Sequence, residues 1–125
     1  MTTLTTTIRQ DRIHTARNER ASMRLYIAGP MTNYPHHNYP AFHAAEASLR
    51  ANGYQHLENP AGEVIPAGTW LDYMRRALTQ MLRCQGVVLL DGWERSKGAT
   101  IEHHLAVQLG MPVGTLTYWL RNADV

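Results

Sequence analysis

The run Gly86-Val87-Val88-Leu89-Leu90 constrains this chain more than any other stretch. It has no polar side chain on either alternating face. A strand written this way is buried on both faces, and such strands belong to parallel sheets layered between helices. The residues that follow fit that demand. Asp91 to Gly98 reads as a polar, glycine-containing loop, after which Ile101, Leu105 and Leu109 recur at i, i+4 and i+8, the period of a helix ended by Gly110 and Pro112. The spacing predicts that this aliphatic row faces the core. It places Glu102 in the first turn, on the adjacent row with Ala106 and Leu109, at the rim of the buried face. A strand, a glycine loop and a helix N-terminus together make an anion site, because the unpaired N–H groups of the first turn point outward. A glutamate there has two readings. It complements the helix dipole, or it is a chemical group held where a phosphate-bearing sugar docks.

The rest of the chain repeats the alternation. Leu25 to Ala28 reads as a strand broken by Gly29-Pro30, and Met31 to Tyr39 as a loop. Pro40 suits the first position of a helix carrying Phe42, Ala45 and Leu49, which ends at Asn52-Gly53. Tyr54 to Leu57 is the second strand, and a longer loop runs from Asn59 to Gly68. Thr69 with Asp72 forms a capping pair before Leu71, Met74, Leu78, Met81 and Leu82 at helical spacing. Val113 to Tyr118 is the last strand, with Trp119 near its end. The order β-α-β-α-β-α-β argues for a three-layer α/β/α fold around a mostly parallel, four- to five-stranded sheet. Ligands of such sheets bind beyond the C-terminal strand ends, where the strand order switches. That rule gathers Tyr26, the Gly29–Tyr39 loop, the Asp91–Gly98 loop and Glu102 around one cleft.

Composition narrows the function. The formal net charge of +2 sits in residues 1–23, where Arg9, Arg12, Arg17 and Arg20 outnumber Asp11 and Glu19, so the remainder is neutral. It therefore offers no basic face for a nucleic acid polymer. No apolar run approaches membrane-spanning length. The single Cys84 cannot form an internal disulfide and reads as a small core residue, which fits a cytoplasmic protein. Residues 1–22 read as a flexible tail and 23–125 as one domain. The seven histidines include the adjacent pairs His36-His37 and His103-His104, but none has the i, i+4 spacing with which a helix grips zinc, so no metal and no cofactor are expected. Trp93 either stacks on a nucleobase or covers the sheet end. Asp91 either binds a sugar hydroxyl or caps its loop. Lys97 reads equally as a phosphate contact and a surface lysine.

The ordered set Leu25-Tyr26-Ile27-Ala28-Gly29-Pro30-Met31-Thr32, Trp70-x-Asp72-Tyr73-Met74-Arg75-Arg76, Gly92-Trp93-Glu94-Arg95-Ser96-Lys97-Gly98-Ala99 and Glu102-His103-His104, spread over residues 24–113, resembles the nucleoside 2-deoxyribosyltransferase superfamily. The match is to a small branch common in bacteria and phages. The resemblance implies a flavodoxin-like, Rossmann-like sheet that cleaves or transfers the N-glycosidic bond of a 2'-deoxynucleoside or its 5'-monophosphate. By resemblance, Glu102 attacks the sugar C1' to form a covalent deoxyribosyl-enzyme, and Tyr26 orients it. Ser96 and Gly98 meet the 5' end of the sugar, and Gly29, Pro30, Met31 and Thr32 wall the base and phosphate. A homodimer or higher homo-oligomer is implied as well.

One position departs from the family. Its Asp on the helix before the third strand, which handles the base proton, is Ala77 here. General-acid help of that kind contributes about 10²–10⁴-fold. The loss leaves two further expectations standing beside the enzyme: a catalytically weakened nucleotide-binding or sensing module, and an oligomerisation or partner-binding protein with no ligand.

Overall fold

The structure is a computed structural model that describes residues 19–121. Its centre is a four-stranded, wholly parallel sheet in the order β2-β1-β3-β4. The strands are β1 (Arg24–Ala28), β2 (His56–Glu58), β3 (Gly86–Leu89) and β4 (Val113–Thr115). The helices between and after them are α1 (Tyr39–Ala51), α2 (Trp70–Leu82), α3 (Lys97–Gln108) and α4 (Leu116–Arg121). The α/β/α expectation therefore holds, at the lower strand number.

Alternation along β1 divides the core. Leu25 and Ile27 point to one face, where they pack with Phe42, Ala45 and Leu49 of α1 and Trp119 of α4. Tyr26 and Ala28 point to the other, where they pack with Met81 and Cys84 at the end of α2 and Ala106 of α3. β3 is buried at all four residues and contributes Val88 to the first layer and Val87 and Leu89 to the second. The chain leaves β1 toward β2 and leaves β3 toward β4, in opposite directions. Crossovers of one hand that run in opposite directions lie on opposite faces, so α1 sits on one side and α2 and α3 on the other. The reversal between β1 and β3 is the switch point, and it opens a crevice above their C-terminal ends.

Local signals explain the helix starts. Thr69 and Asp72 close a capping box at α2, with Asp72 N–H donating to Thr69 Oγ1 at 3.2 Å and Thr69 N–H to Asp72 Oδ2 at 3.0 Å. Ser96 caps α3, its hydroxyl accepting from Ala99 N–H at 3.2 Å. Cys84 is a buried core residue whose thiol burial pushes up to about 12, so it is an inert filler.

The structure departs from the sequence expectation in four places, the first being the second strand, which covers His56–Glu58 rather than Tyr54 to Leu57. The α3 row Ile101-Leu105-Leu109 is not the core face: Ile101 and Leu109 are exposed, and Ala99, Glu102 and Ala106 are buried. Small side chains let this helix lie close to the sheet, and that close approach takes precedence over the aliphatic row. α3 also begins at Lys97, so Glu102 stands in its second turn rather than its first. The stretch after Val113 turns helical at Leu116 instead of remaining a strand to Tyr118. Trp119 explains the turn. Its indole Nε1–H donates to Val87 O at 2.9 Å, and its carbonyl accepts from the Tyr54 hydroxyl at 2.7 Å, which ties α4 back across the sheet.

Of the expected tail, residues 1–18 lie outside the described residues. Residues 19–22 are helical, and Arg20 is buried, donating to Asn52 O at 2.6 Å and Leu120 O at 2.8 Å. No helix among the described residues is long and apolar enough to cross a membrane.

Gly86 shows how tightly the first layer closes. A Cβ built on it would meet Trp119 Cη2 at 2.6 Å and Cζ2 at 2.7 Å. Gly86→Ala is therefore expected to lower the unfolding free energy by about 1–3 kcal/mol through overpacking. Urea denaturation followed by tryptophan fluorescence measures this, and an unchanged midpoint would refute the tight contact.

Candidate active site

A cleft of about 1030 Å³ opens above the C-terminal ends of β1 and β3. That is at the upper end of the range for small-molecule sites, about 300–1,000 Å³. Of the residues predicted from the sequence, Tyr26, Gly29, Pro30, Met31, Thr32, Ser96, Gly98 and Glu102 all line it. Asp91 and Trp93 do not. Asp91 is exposed, and the Trp93 ring stacks on His103 at 4.3 Å between centroids, as part of the second packed layer. The reading in which Trp93 covers the sheet end fits this placement better than nucleobase stacking.

Glu102 is the chemical centre of the cleft. It is only 5% exposed, and its Oε2 is buried with no hydrogen-bond partner. Burial drives its pKa up to about 7 from 4.5, against a hydrogen bond from the Tyr26 hydroxyl that acts in the opposite direction. Tyr26 belongs to the same buried layer, and its phenol is pushed well above its ordinary value by burial first and by the Glu102 carboxylate second. The phenol therefore stays protonated beside Glu102. This acid titrates near neutrality, close to the balance a group needs for acting in both protonation states.

The walls are aromatic and mildly basic. Tyr34, Tyr39, Phe42, Trp70 and Tyr73 line the cleft together with Arg95 and Lys97. Lys97 Nζ lies 4.4 Å above the Trp70 ring, so the ammonium is held at the rim. Gly98 also packs closely, since a Cβ there would meet Met74 Sδ at 3.1 Å. The β1–α1 loop carries Asn33, His36, His37 and Asn38 at φ of 66°, 53°, 54° and 60°. Left-handed non-glycine residues cost about 1–3 kcal/mol each and gather at functional sites. Asn38 Nδ2 donates to Pro30 O at 2.9 Å, which braces this loop over the cleft.

Sequence reasoning missed Glu63, Trp70, Tyr73 and Arg95 as lining residues. The pair Trp70 and Tyr73 carried a signal, since large aromatics at i, i+3 share a helix face distinct from that of Leu71. Glu63 carried none, because it lies in a loop without periodicity. Among the described residues, His, Cys, Asp and Glu form no group of three placed to hold a metal ion.

Residues 23–115 match the model of a family described as a domain of unknown function, DUF4406. No curated protein and no solved structure matches the chain.

Burying an acid has a consequence for stability. Between pH 4.5 and about 7 the folded chain keeps a proton on Glu102 that the unfolded chain has lost. The stability carried by the neutral carboxyl is therefore full below pH 4.5 and is lost as pH rises through about 7. At 1.36 kcal/mol per pH unit the loss is on the order of 3 kcal/mol. Glu102→Gln is expected to raise the unfolding free energy by about 1–3 kcal/mol at about pH 8, with little change at acid pH. Denaturation curves at both pH values test this. A variant no more stable than the parent at the higher pH would contradict the buried acid.

Proposed function

Starting from the premise that the chain belongs to the DUF4406 family, we propose that it is a deoxynucleotide N-glycosidase or transferase of the nucleoside 2-deoxyribosyltransferase superfamily. Glu102 is its nucleophile. The single observation that carries this reading is a buried carboxyl with one unpartnered oxygen, lining a cleft at the switch point beside the buried Tyr26 phenol. Such an arrangement suits attack on an electrophilic carbon better than a structural ion pair, because among the described residues no cation lies against Glu102.

In the proposed reaction the deoxyribose lies over Glu102, its 5' end toward Ser96, Lys97 and Gly98 and its base among the aromatic walls. A Glu102 carboxylate oxygen bonds C1' as the C1'–N bond breaks, and that bond's electron pair leaves with the base. The sugar is then an ester of Glu102. Water or a second base bonds C1', and the ester electron pair returns to the carboxylate. Tyr26 stabilises the carboxylate at the beginning and the end and keeps its oxygens aimed. The second reading is a nucleotide-binding module of the same fold. Ala77, which lines the cleft without a polar atom, favours it.

Incubation with the four 2'-deoxynucleoside 5'-monophosphates, with release of free base followed by chromatography, tests the proposal. At least one is expected to lose its base, and Glu102→Gln is expected to lower the rate by about 10³-fold or more. Attack requires ionised Glu102, so with a donor whose leaving group departs without a proton kcat/KM should rise with pH through about 7. Tyr26→Phe removes the hydroxyl that lowers this pKa and should move that limb to higher pH. Ligand-induced thermal stabilisation with no base release would support the binding module instead.

A further inference from the structure

We propose that Glu63 is the proton-transfer residue of this cleft: its carboxyl gives a proton to the departing base, and its carboxylate then takes one from the water that frees the sugar. The inference rests on the glycosidase reading and adds the group that reading lacks. A base leaving as an anion is a poor leaving group, so the cleft needs an acid other than the nucleophile. Of the described residues lining the cleft, Glu63 and Glu102 are the carboxylic acids.

Glu63 stands in the loop between β2 and α2, and its charge is felt at the Tyr26 phenol that holds Glu102. Its Oε2 accepts from Gln80 Nε2 at 2.8 Å. Gln80 is buried on α2, three residues after Ala77, so this bond ties Glu63 to the helix that carries Ala77, and both Glu63 and Ala77 line the cleft. A neutral amide donor can bond that oxygen whether or not the other oxygen carries a proton. The nearby cation holds the carboxyl only loosely. Arg76 Nη1 stands at 3.8 Å, and the two side chains are 44% and 40% exposed, a geometry worth little. Glu63 Oε1 has no hydrogen-bond partner among the described residues and is free to meet the base. The exposure of Glu63 also gives water a path to it, as the second step requires.

Atoms and electrons balance in both steps. In the first, Glu102 bonds C1', the C1'–N electron pair goes to the base, and the Glu63 proton goes to a base nitrogen. In the second, the water oxygen bonds C1', the ester pair returns to Glu102, and the water proton goes to Glu63.

The test uses the full chain and two donors. One is the deoxynucleoside monophosphate cleaved fastest by the parent. The other is 4-nitrophenyl 2-deoxyribofuranoside 5-phosphate, whose nitrophenolate leaves without a proton. Glu63→Gln is expected to slow base release by about 10²–10³-fold yet leave the first burst of nitrophenolate within about threefold of the parent. Mass spectrometry should then find the sugar ester on Glu102 accumulating, and added azide should restore turnover. Adding Ala77→Asp to Glu63→Gln should recover part of base release, because it returns an acid to the same wall. Equal loss on both donors, or no loss on either, overturns the role of Glu63 while leaving Glu102 in place. Absence of base release and of nitrophenolate release by the parent overturns the glycosidase reading itself, and the proton-transfer role falls with it.

Discussion

The placement of the buried Tyr26 phenol beside the buried Glu102 carboxyl is the constraint on which the candidate site depends. It exists because β1 is a two-sided strand. Its odd positions, Leu25 and Ile27, feed one packed layer, while its even positions, Tyr26 and Ala28, feed the other. A shift of one residue in register would carry Tyr26 to the α1 side and leave Glu102 with no donor. The pairing of Tyr26 with Val87 on one side and Glu58 on the other prevents that shift. α3 supplies the second half of the placement. Ala99 and Ala106, three positions before and four after Glu102, are small enough to let the helix settle on the sheet and carry the carboxyl out of water.

The surroundings hold that unfavourable burial in place. Trp119 is bonded through its indole to β3 and through its carbonyl to Tyr54, and it packs against Gly86 and Leu25 on the far face. The Arg20 guanidinium adds bonds from the N-terminal side to Asn52 and Leu120. The sheet is thus clamped on the face away from the cleft, and the cost is carried on the face that lines it. Strain follows the same division, for the left-handed run His36–Asn38 lies in the loop over the cleft. Sites placed at strand ends and helix starts gain positional precision from elements that cannot yield.

Legibility in the sequence followed periodicity and punctuation. The apolar β3, the Thr69–Asp72 cap and the end of α1 at Asn52 were all readable, because each is decided within a few neighbouring residues. Tyr26, the Gly29–Thr32 wall and Glu102 followed from the topology rule for strand ends. The face of α3 was misread, since an Ile-Leu-Leu row outweighs two alanines in any count of hydrophobicity. What decides that face is the distance between helix and sheet, a tertiary quantity. The same holds for α4, where Leu116 to Leu120 has the composition of a strand and Trp119 bonds draw it into a helix. Glu63 was illegible for a different reason. A loop residue owes its direction to the elements that tether it, here Gln80 and Arg76, both remote in sequence.

The nature of Glu102 bears on enzyme against binder. A pocket that only holds a nucleotide gains nothing from an acid dehydrated until it titrates near 7, since glutamine would offer the same reach and a hydrogen bond without the cost. A nucleophile does gain. A carboxylate stripped of water and steadied by one phenol is more reactive than a solvated one, and it leaves its ester as an only mildly basic group. The same argument accounts for the distribution of acids. Two carboxylates on adjacent turns of one wall would raise each other's cost of ionisation, whereas here one stands on α3 and the other in the β2–α2 loop. The alanine at position 77 is then no defect in the wall. In the proposed reaction it leaves space on a wall that the tethered Glu63 also lines.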